Sequence, residues 1–336
     1  MQLSKVFTKQ KMMRTVLWSM LPIYLFSIYL FGWRVLLVLL ASLIAACVGE
    51  WLIMRMIQGD KAKVSEAALV TAALFTLTLP PTIPLWIAVV GTLFGIIFGK
   101  AIFGGFAKNI FNPALVGRAF IYVCFPIPMT VTWANPFSGV PGGFAHYAPG
   151  VDLATRATPI INMEMNGQGT PLAQMFLGNT AGSLGETSGL LIVLAAVYLI
   201  YTKTASWKIM ASTLASGLLM SFVVWQAGAA KGDPFFAIAS GGFLFGCVFM
   251  ATDPVSAPTK DPAKILYGVL IGAVTVIIRT FSLFTEGMMF AILIANSFAP
   301  LMDLNVKKWQ ARRKAKEASP ALPAQKAASA VSKEAK

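Results

Sequence analysis

The sequence predicts an all-α integral membrane protein with about ten transmembrane helices arranged as two inverted five-helix repeats. Three observations predict it. Mean hydropathy is +0.72, with 57% hydrophobic and 12% charged residues over 336 positions, about half the charge fraction of a soluble domain. Ten apolar runs approach the roughly 20 residues that cross a bilayer core, some of them needing tilt or a broken helix. These runs form two sets of five on either side of one long polar interval, and an odd number per set makes a repeat inverted across the membrane.

The runs are 16–32, 34–54, 65–79, 84–99 and 113–128, then 187–202, 208–226, 235–251, 264–282 and 286–302. The chain thus divides into a basic N-terminus (1–15), a first membrane repeat (16–128), a polar loop (129–186), a second membrane repeat (187–302) and a basic disordered tail (303–336). The lead-in MQLSKVFTKQKMMRT has no small-residue cleavage site behind it and reads as the start of a retained helix. Pro80-Pro81 stops the third run, and Pro126 and Pro128 stop the fifth. Gly91, Gly95 and Gly99 form a small-xxx-small ladder for close helix approach. GTLFG from Gly91 and GVLIG from Gly268 occupy matching places in the two halves, each after a proline-rich break. Lys100 and Arg279 end those two runs at opposite faces. Transporter and channel folds of this kind hold their ligand near the repeat interface.

Charge sets the orientation. The formal net charge is +14, and nine of the 27 basic residues lie between Lys307 and Lys336. The basic residues flank apolar runs, a pattern that orients a membrane protein and contacts anionic lipid rather than nucleic acid. With the N-terminus inside, the cytoplasmic ends hold Lys5 to Arg14, Arg55, Lys61, Lys63, Lys100, Lys108, Lys203, Lys208, Lys260, Lys264 and the tail; the opposite side holds Arg34, Arg156, Lys231 and Arg279. Both termini are therefore expected in the cytoplasm and the 129–186 loop outside, which in a bacterium is the periplasmic face of the inner membrane. Cys47, Cys124 and Cys247 are too few for an iron–sulfur cluster and lack C-x-x-C spacing. His146 is the single histidine, and no metal site is expected.

Four stretches combine polar groups with helix punctuation. KNIFNPALVGRAF (108–120) holds Asn109, Asn112 and Arg118. Asn112-Pro113 reads as an N-cap followed by Pro at N1, whereas Arg118 lies deep enough in its span to need a partner. FMATDPVSAP (249–258) holds Thr252 and Asp253, and reads either as turn chemistry or, with the Asn112 segment, as a site for an uncharged, hydrogen-bonding ligand. GSLGETS (182–188) gives Ser183 and Glu186 capping-box spacing, beside glycines that let a ligand approach the backbone. DLATRATP (152–159) places Thr158 as N-cap before Pro159, or as an acceptor of modification; without a nearby base it is no hydrolase nucleophile. No residue reads as catalytic on its own.

These four stretches, with EGMMFAILIANSFAP (286–300), resemble the family that unites the D subunit of the Rnf complex with the B subunit of sodium-translocating NADH:quinone reductase. The resemblance implies a urea-transporter-like architecture and a subunit of a respiratory complex that couples electron transfer to Na+ or H+ transport. It implies FMN joined through its phosphate to a threonine hydroxyl by a flavin transferase. The acceptor pattern D-x-x-[S/T]-x-A-T resembles Asp152, Thr155, Ala157 and Thr158 here, with Thr158 the attachment residue and Ser183 and Glu186 in its neighbourhood. Leu153 and Arg156 depart from the pattern. A noncovalent riboflavin is implied near Asn109, Asn112, Arg118, Thr252 and Asp253.

The chain has neither the nucleotide-binding loop nor the cysteines to oxidise NADH or ferredoxin. The resemblance supplies partners that do: the other Rnf or quinone-reductase subunits, including a second FMN-bearing subunit and iron–sulfur subunits. With about 15 residues before the first run, fewer than usually precede it in the quinone-reductase B subunit, the Rnf D subunit is the favoured branch. Other readings are a channel or secondary transporter without covalent flavin, suggested by the inverted halves alone, and a passive scaffold.

Overall fold

Apolar runs produce the long helices, and glycine, proline and polar breaks end them. The computed structural model describes residues 7–149, 158–167, 169–282, 284 and 286–318. α1 (Lys11–Phe31) absorbs Pro22 and stops at Gly32, whose φ of 84° suits glycine; α2 (Arg34–Gln58) stops likewise at Gly59. A two-residue parallel bridge joins β1 (Phe7–Thr8) to β2 (Val64–Ser65). α3 (Glu66–Leu77) is short and buried along all its length but Leu69. α4 (Leu85–Ile96) runs on through a π-helical turn at Ile97–Ala101.

α5 (Pro113–Cys124) opens on Asn112, whose side chain accepts from Ala114 N, with Pro113 at N1. α6 (Pro126–Thr130) leads from the fifth run into the polar interval, which holds α7 (Pro159–Asn166) and α8 (Leu172–Leu177). The second half comprises α9 (Gly189–Tyr201), α10 (Trp207–Gln226), α11 (Pro234–Ala239), α12 (Phe243–Phe245) with a π-helical turn at Gly246–Met250, α13 (Asp261–Phe281) and α14 (Gly287–Ala318).

Five of the described helices are long and apolar enough to cross a membrane, and four shorter apolar helices accompany them. Large apolar side chains such as Trp18, Val123, Leu219 and Phe281 face outward, as lipid-facing residues of a multi-pass membrane protein do. One apolar core joins both halves: Tyr24, Phe31 and Phe75 belong to the same cluster as Phe243, Phe245 and Tyr267.

The breaks in the helices need partners, because lipid offers none to free backbone groups. Beyond α3, the carbonyls of Leu77 and Leu79 accept from Gly185 N (2.7 Å) and Leu184 N (3.0 Å). Arg34 donates to the carbonyls of Pro81 and Ile83. A Cβ on Gly185 would lie 2.8 Å from Leu77 Cβ, so this pairing requires glycine. Between α11 and α12, Arg279 Nη1 donates to the carbonyls of Ala237 (2.8 Å) and Ser240 (3.2 Å).

The structure differs from the sequence expectations at four places. The run 235–251 is two short helices parted by Ser240-Gly241-Gly242, because consecutive glycines favour a break over a continuous helix. The run 113–128 breaks at Phe125, where Pro126 cannot donate to the preceding turn. α14 continues past 303 to Ala318, since the lysines, arginines and alanines there are good helix formers. The Ser183–Glu186 capping box does not form: α9 is capped by Ser188, whose side chain accepts from Leu191 N, and Glu186 is drawn to an arginine instead.

The glycine ladder packs as expected, with Gly95 and Gly99 against Gly117 and Pro113 of α5. Its counterpart, Gly268 and Gly272, packs on Thr213 and Gly217 of α10, so the two matching motifs serve different interfaces. A methyl at position 95 would press into the Pro113 carbonyl and lie 3.1 Å from Gly117 N. Gly95→Ala is predicted to destabilise the protein by about 1–3 kcal/mol through overpacking. A thermal melt in detergent should show a lowered midpoint, with Gly169→Ala, which among the described residues meets only Met163 Cε at 3.8 Å, melting as the parent does.

Candidate functional site

Thr158, itself in an extended conformation, stands at the entry to α7. Its φ of −63° and ψ of 160° are those of an N-cap, and its side chain accepts from Ile161 N at 3.4 Å. Pro159 at N1 has no N–H to satisfy and fixes the entry angle. A hydroxyl used as an acceptor keeps its own proton and a second lone pair available for chemistry. Thr158 is half-buried and lines a cavity with Trp133, Gly182, Glu186, Gly241 and Glu286. Asp152, Thr155 and Ala157, with Leu153 and Arg156, lie outside the described residues.

Arg118 is the centre of charge beside that cavity. It projects from α5, and its Nη1 donates to Glu186 Oε1 at 3.3 Å while Nη2 donates to Glu286 Oε2. The three side chains are 4%, 5% and 14% exposed, so one guanidinium serves two carboxylates away from water. Glu286 and Glu186 both line the Thr158 cavity, and with Arg118 they line a second, narrower one reaching Met250. The structure therefore joins Arg118 to Glu186 and Glu286, two residues of the Thr158 cavity wall, a pairing the sequence did not announce. The reason is Coulombic: Arg118 finds its carboxylates 68 and 168 residues away in sequence.

The Asn112 and Asp253 segments do meet. Asn112 Nδ2 donates to the Met250 carbonyl (3.3 Å), and its backbone N–H donates to Asn296 Oδ1 (3.1 Å). Asn296, fully buried on α14, in turn donates to Tyr267 OH (2.6 Å) and the Ser256 carbonyl (3.4 Å). Asn109 is buried and donates to the Phe111 carbonyl (3.0 Å). Asp253 accepts from Ser256 Oγ (2.7 Å) and Ser256 N (3.3 Å), the turn chemistry expected of Asp-Pro, and Thr252 Oγ1 donates to the Val248 carbonyl (2.6 Å). Thr252 and Asp253 line a groove of about 490 Å³ with Trp207 and Lys208, within the size range of small-molecule sites.

A further buried group joins Glu50, Ser65 and Lys100. Lys100 Nζ lies 2.9 Å from Glu50 Oε1 and donates to Ser65 Oγ at 2.5 Å. Ser65 also donates from Oγ (2.9 Å) and N (3.1 Å) to the Glu50 carboxylate. Sequence reading missed the roles of Asn296, Arg279, Glu286 and Trp133. For the first three a signal existed: ionisable or amide side chains within or beside apolar runs are costly and need a purpose.

Beside the Thr158 cavity lies a groove of about 400 Å³ lined by Ile160, Glu164, Lys231, Ser240 and Arg279; Ile160 and Ser240 line both. Burial pushes the Glu164 carboxyl up from its ordinary range, with Lys231 and Arg279 pulling the other way.

The model of the NQR2, RnfD, RnfE family matches residues 2–311. Similar proteins include the B subunit of the Na(+)-translocating NADH-quinone reductase of Pseudomonas aeruginosa strain PAO1, 42% identical over 266 residues, covering 74% of this chain and 63% of that protein. The B subunit of the same reductase from Chromohalobacter salexigens is 42% identical over 253 residues, covering 72% of this chain and 58% of its own. That of Klebsiella pneumoniae strain MGH 78578 is 39% identical over 267 residues, covering 76% and 62%. The match thus spans less than two thirds of these relatives' length.

Removing one member of a buried charge cluster strands the others. Arg118→Ala leaves Glu186 and Glu286 buried without their cation and is predicted to cost about 3–5 kcal/mol. The thermal midpoint should fall accordingly, and adding Glu186→Gln and Glu286→Gln to that variant should recover part of the loss.

Proposed function

The chain belongs to the NQR2, RnfD, RnfE family, and on that premise we propose that it is the flavin-bearing membrane subunit of an ion-translocating electron-transfer complex, with FMN esterified through its phosphate to Thr158. The observation that carries this reading is the position of Thr158, an N-cap hydroxyl at a cavity shared with GSLGETS and Glu286. Loading from FAD balances as follows: the Thr158 Oγ–P bond forms, the pyrophosphate P–O bond breaks, AMP leaves and the threonine proton is released.

The residues present fit such a group. The Thr158 cavity itself holds about 30 Å³, room for little more than one water, so it suits the attachment point and not a flavin ring. The neighbouring groove of about 400 Å³ is large enough for part of a flavin. The bound flavin supplies one- and two-electron transfer. Thr158 tethers, α7 orients the tether, and the Arg118–Glu186–Glu286 cluster fixes the cavity wall.

The Asn112–Asn296–Tyr267 cluster and the groove at Thr252 and Asp253 support a second, uncharged flavin, riboflavin, held by amide and hydroxyl groups. Inverted five-helix repeats with both termini cytoplasmic, and Thr158 on the periplasmic side of a bacterial inner membrane, fit the lysine distribution. They also fit a correspondence between halves: Lys100 bonds Ser65 just before α3, and Arg279 bonds Ser240 just before α12.

The names of the relatives favour the B subunit of a Na+-translocating NADH:quinone reductase; the D subunit of an Rnf complex, favoured from the sequence, is the second reading, and the family description covers it. Either branch requires partner subunits with nucleotide and iron–sulfur sites, a second FMN-bearing subunit, and a flavin transferase for maturation.

Made with the transferase, the wild-type chain should fluoresce in a denaturing gel and Thr158→Ala should not. Wild type without covalent flavin would overturn the reading in favour of a channel or secondary transporter. Quinone reduction by NADH in the purified complex, against NAD reduction by ferredoxin, separates the two branches.

A further inference from the structure

Arg279 has one edge occupied and one edge open. Its Nη1 holds the carbonyls of Ala237 and Ser240, which pins the guanidinium at the break between α11 and α12. Its Nε and Nη2 are buried and have no hydrogen-bond partner among the described residues. Those two nitrogens form the side-on fork of the guanidinium, the arrangement that meets two oxygens of a carboxylate or phosphate at once. Buried donors left unmet are costly and rare, so a matching acceptor is called for.

The surroundings identify which acceptor. The carboxylates of Glu186 and Glu286 are held by Arg118, and that of Glu164, in the same groove as Arg279, makes no hydrogen bond to its Nε or Nη2. Arg279 lines the groove that shares Ile160 and Ser240 with the Thr158 cavity. Gly241 lines that cavity with a φ of +59°, and a Cβ there would lie 3.0 Å from Arg279 Nη2 and 2.9 Å from Ile160 Cδ1. Glycine thus keeps clear the space beside Nη2 at the wall of the Thr158 cavity, where any other side chain would intrude.

We propose that Arg279 anchors the phosphodiester that joins FMN to Thr158, with Nε and Nη2 donating to its two non-bridging oxygens. This rests on the covalent-flavin reading and deepens it. The phosphodiester carries one negative charge and two free oxygens, which match one fork. Arg279 is a positioning residue: it touches the tether rather than the ring, and sets where the flavin is held and how readily an incoming FAD phosphate is presented to Thr158.

The test compares wild type, Thr158→Ala, Arg279→Gln, Arg279→Lys and Gly241→Ala, each full-length, in its complex, and made with the flavin transferase. Covalent flavin per chain is read by in-gel fluorescence over a loading time course, and the phosphodiester by its phosphorus NMR resonance in the folded protein. Arg279→Gln should load at least about tenfold more slowly and move the resonance. Arg279→Lys, which keeps the charge and loses the fork, should fall between.

Wild-type loading with an unmoved resonance in Arg279→Gln would overturn the proposal. Should that variant not accumulate as folded protein, Gly241→Ala decides: it leaves the guanidinium in place but obstructs the gap, so normal loading and resonance there would equally overturn it. A wild type that carries no flavin would instead defeat the covalent reading beneath it.

Discussion

A chain in lipid must satisfy its backbone from within, and this one interrupts its apolar segments part-way, among them after α3 and before α12. Everything around the candidate site follows from how those breaks are paired. The segment after α3 is met by the backbone of Leu184 and Gly185 and by Arg34; the segment before α12 is met by Arg279. GSLGETS is therefore a structural clasp before it is anything else. Ser27 reinforces it by donating to the Leu184 carbonyl at 2.5 Å. The same clasp carries Glu186 to the wall of the Thr158 cavity, so backbone pairing and the placement of a buried carboxylate are one event.

Buried charge is the second cost of this design, and it is met locally. Arg118 with two glutamates in one group, and Lys100 with Glu50 and Ser65 in another, bring opposite charges together away from water. Apolar side chains of similar volume would pack at lower cost than such groups. Charge retained in an apolar body is a mark of use, and the arginine cluster adjoins a cavity that Thr158 lines.

How much of this was legible in the sequence depended on range. Helix positions, the Asn112-Pro113 start, the Thr158 cap and the glycine ladder were readable because each depends on residues a few positions apart. The partner of Arg118 was not, since Glu186 and Glu286 come from other elements and no local spacing announces them. Asn296 was visible as an amide in an apolar run, yet only folding shows that it links Asn112 to Tyr267 and Ser256. The capping box at Ser183 failed for the same reason: a local rule favoured it, and a distant guanidinium bound the glutamate more strongly. The break at Ser240-Gly241-Gly242 was present in the letters, but the hydropathy of its flanks masked it.

The apolar core shared by the two halves has a wider implication. Phe75 and Phe245, from opposite halves, are both essentially inaccessible to solvent and belong to one cluster. A transporter that rocks one bundle against another needs a seam along which the halves can slide, and an interdigitated aromatic interior resists such sliding. What a stiff, low-dielectric body does well is hold small groups at constant separation and insulate the space between them.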